Sequence, residues 1–248
     1  MPGADSAGVP WEGRHFEHNA SSDDDGSAPE RLIEALRRFR AHDLGEVDVV
    51  DALRDSRLLI PLVAVLGADG VDEHGHDKSQ ELSIVTVAGP DGRTVLPAFT
   101  SVAAMSRWDA KARPVPATAA RVALAAASEN TDLVMLDAAN ETEFVIRRPA
   151  LWALAQSQPW TPSYLDPEVL RRFLAGAEPE PAVAAVHLAP GDPASRLAGP
   201  ELVVQLTLQP GLDREGLDGV LARLQGRWAS DDLIAERVDS MRVVLASA

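Results

Sequence analysis

The sequence predicts an α+β protein. A larger N-terminal domain combines a mixed or antiparallel sheet with helices, and a smaller C-terminal domain runs in the order β-β-α-β. Three observations carry this. Short apolar runs rich in Val, Leu and Ile are separated by Gly/Pro turns and do not alternate with long helices at a βαβ period. Amphipathic helical stretches lie between them. A cluster of prolines (Pro159, Pro162, Pro167, Pro179, Pro181) divides the chain into two units.

Residues 1–28 are rich in Gly, Ser, Asp and Ala, include Asp23-Asp24-Asp25 and show no periodicity, so they read as a disordered acidic tail. The N-terminal domain is expected over 29–156. Ser27-Ala28-Pro29-Glu30 has the form of a capping box, followed by Leu32, Ile33, Leu36 and Phe39 at helical spacing. Gly45 closes that segment, and Val49, Val50 and Leu53 give a second short helix. Residues 58–65 form a strand whose Pro61 cannot donate to a ladder, so an edge position or a bulge is expected. After the polar loop GADGVDEHGHDKSQ, residues 82–87 and 94–99 flank Gly89-Pro90-Asp91-Gly92 as a β-hairpin. There Pro presets φ and Gly supplies the positive φ.

Residues 114–116 are extended, and a helix is expected near 117–128. Strands at 133–136 and 144–146 pair across the turn Asp137–Glu141, whose Asp and Asn tolerate left-handed backbone. Pro149 opens a helix through Leu151, Trp152 and Leu154. Residues 157–182 read as a Pro-rich linker with one short helix, Val169 to Leu174. In the C-terminal domain, 183–248, strands at 183–188 and 202–208 precede a helix capped by Asp213. That helix carries Leu217, Val220, Leu221, Leu224 and Trp228 on one face, and a strand from Val238 to Leu245 follows.

Composition excludes several chemistries. There is no cysteine, which removes thiol catalysis, disulfides and Cys-based metal sites. The formal charge of −15 repels phosphate backbones, and the arginines, including Arg147 and Arg148, read as solubilising helix faces, so nucleic acid is not an expected partner. No apolar run approaches the roughly 18 residues that span a bilayer. The N-terminus lacks a basic and apolar leader. The expectation is a cytoplasmic protein that does not engage membranes.

The stretch VLPAFTSVAAMSRW (95–108) is the best candidate site, because a strand turns abruptly into a helix at Thr100-Ser101. A nucleophile elbow needs small residues beside its serine, and Phe99 and Val102 do not fit. Helix capping explains the pair, and the helix start offers donors to an anionic ligand. Phe99, Thr100, Ser101 and Trp108 therefore stand as a candidate ligand or partner surface, with no catalytic residues assigned. His74, His76 and Asp77 are weak metal candidates that lack a third distant ligand, so no metal and no cofactor is expected. His42 and His187 fall in no recognisable pattern. There is no glycine-rich phosphate loop. Phe99, Trp108, Trp152 and Trp160 either anchor the core or in part line a partner groove.

The succession SRLLIPLVAV, GRTVLPAFTSVAAMSRW, TDLVMLDAAN and FVIRRPALWALAQ resembles the N-terminal domain of the SseB (enhanced serine sensitivity) family. Leu96, Pro97, Phe99, Thr100, Ser101 and Trp108 match its L-P-x-F-T-S…W segment, and Leu59, Pro61 and Leu62 its upstream strand. Residues from about 178 to 248, with PELVVQLTLQPGLDREGLDGVL, resemble the family's smaller C-terminal domain. The resemblance implies an uncharacterised, non-enzymatic accessory or regulatory module that binds another protein. The alternative it leaves is a small-molecule sensor, for an amino acid or anionic metabolite, at the Phe99-Thr100-Ser101 helix start. A serine-dependent hydrolase comes third.

Overall fold

Apolar residues at helical spacing build the first two helices, α1 (Glu30–Arg40) and α2 (Glu46–Arg54), which bury Leu32, Leu36, Phe39, Val49, Val50 and Leu53. The computed structural model describes residues 24–65 and 81–246. Ser27 does not cap α1, contrary to expectation: the helix starts at Glu30 after an extended Pro29 (ψ 119°). The reason is tertiary. Arg57 holds the Asp24 carboxylate at 2.7 Å and the Ser27 carbonyl, while Val102 N donates to Gly26 O at 3.0 Å. Residues 24–28, assigned to the tail by composition, are thereby laid along the domain. Gly45 opens α2, its N–H donating to Asp48 Oδ2 at 3.0 Å, and α1 ends earlier, at Arg40, with His42 just beyond it at φ 62°.

Strand β1 (Arg57–Val65) is the middle of a three-stranded sheet, between β2 (Glu81–Ile84) and β5 (Arg113–Thr118). Pro61 thus sits in a central strand, which corrects the edge or bulge expectation. It faces Pro114 of β5. Two prolines cannot exchange N–H bonds, so this is a non-hydrogen-bonded pair and the missing donor points to the other side. On that side Leu59 exchanges two backbone bonds with Phe99 (2.8 and 2.9 Å), and pairing with β2 starts only at Leu62. Pro61 occupies the gap between them.

The expected strand at 82–87 divides. Its first part is β2; its end, β3 (Val87–Ala88), pairs with β4 (Thr94–Ala98) across the Pro90-Asp91-Gly92 turn, where Gly92 has φ 84°. β4 then lies parallel to β6 (Val134–Leu136), which pairs antiparallel with β7 (Phe144–Ile146). Helices α3 (Val102–Trp108), α4 (Ala119–Ser128) and α5 (Arg148–Ala155) complete the first domain. α4 and α5 join α1 and α2 on one core with Leu58, Leu96, Phe144 and Ile146.

The second core holds β8 (Val183–Pro190), β9 (Leu202–Leu208) and β10 (Met241–Ala246) in the order β10-β9-β8. The long helix α7 (Arg214–Ala229), capped by Asp213 as expected, buries Val220, Leu224 and Trp228 against this sheet. β10 runs parallel to β9, so α7 and a short α8 (Asp232–Arg237), not anticipated from the sequence, form a crossover. The helix expected as a linker insert, α6 (Pro167–Ala177), follows a 3₁₀ turn (Ser163–Leu165) and belongs to this core. Phe173 packs edge-on against Trp228 at 5.0 Å, and Trp228 Nε1 donates to Phe173 O. Proline spacing marked the connector; Val169 and Phe173 on one face make its helix structural.

The two units are joined through Arg147, only 7% exposed, at the corner between β7 and α5. Nη2 donates to Asp192 (2.8 Å) and Gly199 O (2.9 Å), and Nη1 to Asp239 (3.1 Å) and Ser240 Oγ (3.3 Å). This corrects the reading of Arg147 as a solvated helix residue. Asp192 also accepts from the Arg196 and Leu197 amides, and so shapes the loop 191–199. That loop inserts Leu197 among Val95, Leu133, Met135 and Val145 of the first domain, and Ser195 O accepts from Val145 N at 2.8 Å. Its neck requires glycine: a Cβ on Gly191 would lie 2.3 Å from Pro200 O. Arg148 adds a second tie, donating to Ala235 O and Val238 O at 2.7 Å.

Removing a buried partner leaves its counter-charges unmatched, which costs about 3–5 kcal/mol. Arg147→Ala is therefore expected to lower the unfolding free energy measured by urea denaturation by that amount and to expose the 191–199 loop to limited proteolysis. Arg147→Lys should recover little of the loss, since one ammonium cannot reproduce a four-bond guanidinium fork.

Candidate functional site

The Phe99-Thr100-Ser101 turn is a seam between two sheets. Phe99 leaves β4 and bridges to Leu59 of β1, so its backbone couples the four-stranded sheet to the three-stranded one. Its ring packs with Leu59, Ala104 and Met105 and meets the half-buried Trp108 at 5.4 Å. Thr100 is 1% exposed. Its N–H and its hydroxyl both donate to Asp137, each at 2.8 Å, and Thr142 Oγ1 donates to the same carboxylate at 2.6 Å. Asp137 is itself buried with φ 51°, the left-handed backbone expected of this turn. Its side chain reaches across to β4 as well as bonding within its own hairpin. Ser101 caps α3 by accepting from Ala104 N at 3.1 Å.

Of the four residues proposed as a surface, Phe99 and Thr100 are buried, and only Ser101 and Trp108 are partly accessible. At the helix start Val102 N is bonded to Gly26 O and Ala104 N to Ser101 Oγ, so two of the first three amides of α3 are committed to the chain. The arrangement positions β4, α3 and the Asp137 turn against each other. His74, His76 and Asp77 lie outside the described residues. Among the described residues, no group of three or more His, Asp or Glu side chains is arranged to hold a metal ion.

A different surface has the character of a binding site. Pro149, Trp152, Ala153 and Gln156 form one stripe of α5 at i, i+3, i+4, i+7, opposite the face that buries Ala150, Leu151 and Leu154. With Gln158, Pro159, Trp160 and Thr161 they line a cleft of about 340 Å³, closed on the far side by Asp166, Glu236 and Arg237 of the second unit. Trp152 is 44% exposed there. Arg148 holds its ring from one side, the guanidinium carbon 5.2 Å from the ring centre, while donating to the carbonyls at the end of α8. Trp160 is half-buried against the first core. Asp166 caps α6 through Glu168 N (2.8 Å) and pairs with Arg237 at 2.9 Å. Glu236 is exposed and has no ion-pair partner among the described residues.

From sequence alone, Trp152 and Trp160 read as core anchors or as part of a partner groove. The i, i+3, i+4, i+7 spacing of a second, mixed stripe on α5 was the available signal. The contribution of α8 had none, since nothing local brings residues 236–237 to residue 152.

Two outcomes follow for the seam. Ser101→Ala should cost ~1 kcal/mol, as for a lost cap. Thr100→Val, which keeps the shape but removes a donor to a buried carboxylate, should cost more, about 1.5–3 kcal/mol; urea denaturation measures both. The second concerns pH. Burial pushes the Asp137 carboxyl above its ordinary 3.8, against the hydrogen bonds from Thr142 and Thr100 that pull it down. The folded chain then binds this proton to higher pH than the unfolded chain does. The contribution to stability is thus fully present below 3.8 and is lost as pH rises through the folded value. Glu46 and Glu201, also raised by burial, act with the same sign. Asp137→Asn should therefore reduce the fall in urea midpoint between about pH 4 and about pH 7.

Residues 32–153 match the family model described as the SseB protein N-terminal domain. The match runs from α1 to α5 and includes the Leu96-to-Trp108 segment. No curated protein and no solved structure matches the chain at a significant level. No described helix is long and apolar enough to cross a membrane. Residues 32–153, just under half of the 248-residue chain, are thus similar to the SseB protein N-terminal domain.

Proposed function

We propose that the protein is a non-catalytic, cytoplasmic protein-binding module that presents the α5–α8 cleft to a partner protein, and that its second unit is the smaller C-terminal domain of the family. The observation that carries the reading is Trp152, 44% exposed and braced by Arg148 in a cleft walled by both units. A large aromatic left accessible in a concave surface is the typical anchor of an interface, because it buries much area with few rotatable bonds to order. The hydroxyls of the Thr100-Ser101 turn serve Asp137 and the start of α3, which favours a structural role for that segment.

A photo-crosslinking residue placed at Gln156 in cells that make the protein is expected to give a discrete protein adduct. The adduct should disappear when Trp152→Ala is added and be absent when the crosslinker is placed at Leu124, exposed on α4 and outside the cleft. No adduct from position 156, or the same adducts from both positions, overturns the reading.

A further inference from the structure

We infer that the occupant of the α5–α8 cleft is an extended, proline-containing peptide segment that carries a basic residue at its end. The inference rests on the reading of the cleft as a protein-binding site and names the chemistry of what enters it.

Shape comes first. At about 340 Å³ the cleft is near the small end of ligand sites, which span roughly 300–1,000 Å³. One turn of α-helix, roughly 10–12 Å across with its side chains and about 5.4 Å long, already occupies more than this volume. A polyproline II segment is slimmer, keeps its backbone unbonded within itself and enters a groove already ordered, at little entropic cost. The walls match such a segment. The Trp152 and Trp160 rings provide flat apolar surfaces for pyrrolidine rings, and the Gln156 and Gln158 amides, both exposed, provide donors for the free carbonyls of the peptide.

Charge sets the other end. Within the cleft Asp166 is already matched by Arg237, which leaves Glu236 as an exposed carboxylate without an ion-pair partner among the described residues. One face of the Trp152 ring already carries the Arg148 guanidinium, so the site does not need a second cation over that face. Glu236 lines the cleft and is exposed, so an Arg or Lys flanking the proline segment can pair with it. The chain as a whole carries −15, which draws a cationic segment in and repels an acidic one.

The test uses the full chain and a fluorescein-labelled peptide, Ala-Pro-Pro-Ala-Pro-Pro-Ala-Arg-Arg, followed by fluorescence anisotropy. Saturable binding is expected. Trp152→Ala should weaken it at least about tenfold, the loss typical of an interface anchor. Because Trp152 is half-exposed, the variant should keep the wild-type circular dichroism and urea midpoint. Glu236→Arg should weaken binding of the basic peptide and strengthen that of a counterpart ending in two glutamates. A counterpart with alanine in place of every proline should bind at least about tenfold more weakly, as expected when the preformed extended backbone is lost. The inference is overturned by no saturable binding, by equal binding of the alanine or glutamate counterpart, or by binding indifferent to Trp152→Ala. It is also overturned if sedimentation shows self-association that Trp152→Ala abolishes, which would make a second copy of the chain the occupant. Failure of the peptide alongside a Trp152-dependent crosslink from position 156 would overturn the ligand chemistry and leave the binding reading standing; failure of both would overturn both.

Discussion

Burying a guanidinium obliges a protein to surround it with acceptors, and Arg147 shows how far that obligation reaches. Its Nη1 and Nη2 groups leave the end of β7 and make four hydrogen bonds, to Asp192, Gly199, Asp239 and Ser240, all in the second unit. Two of these acceptors are in turn held by backbone amides, and Asp239 is shared with Arg93. Asp192 is fixed by the Arg196 and Leu197 amides, and Ser240 Oγ accepts from Glu201 N at the entrance to β9. The charge therefore specifies the path of the 191–199 loop, the start of β10 and the contact between the units together. Such buried ion pairs add little net stability over an apolar alternative. What this one contributes is a single mutual placement, since no other orientation of the units would match the charge.

The cleft inherits that placement. α5 begins at the residue after Arg147, so anchoring Arg147 sets the rotation of the helix and directs its Pro149-Trp152-Gln156 stripe toward α8. Arg148 completes the geometry by spanning the Trp152 ring and the last carbonyls of α8. Two adjacent arginines thus act in opposite directions, one inward as a junction and one along the surface as a brace. A ligand in the cleft would touch both units, so its binding energy would depend on the junction being closed.

A second buried charge organises the first domain. Asp137 gathers the Thr100 amide, the Thr100 hydroxyl and the Thr142 hydroxyl, and so pins the strand-to-helix turn to the β6–β7 hairpin. Phe99, one residue earlier, ties this corner to β1 through paired backbone bonds. The segment that most resembles a site in the sequence is therefore where two sheets and a helix meet. Thr100 is satisfied in the interior by Asp137 and Ser101 by the start of α3, which accounts for hydroxyls and aromatics crowding a short stretch.

The sequence by itself determined the features whose physics is local. The Pro90-Asp91-Gly92 turn, the Asp213 cap, the Ser101 cap, the β6–β7 hairpin and the apolar faces of α1 and α7 each depend on residues a few positions apart, and each forms as read. The SseB resemblance was legible for a related reason, because its most characteristic segment, Leu96 to Trp108, is one continuous stretch. Tertiary structure decided the rest. Ser27 loses its cap role to Arg57, thirty positions away. Pro61 enters a central strand because Phe99 and β2 leave a gap opposite it. Arg147 becomes a junction through partners 45 and 92 positions distant. α6 turns from a linker insert into core because Trp228 arrives against Phe173, 55 positions away. A charged or proline residue carries no local mark of where its partner will come from. Its burial, and with it the cleft beside Trp152, is settled only when distant segments fold together.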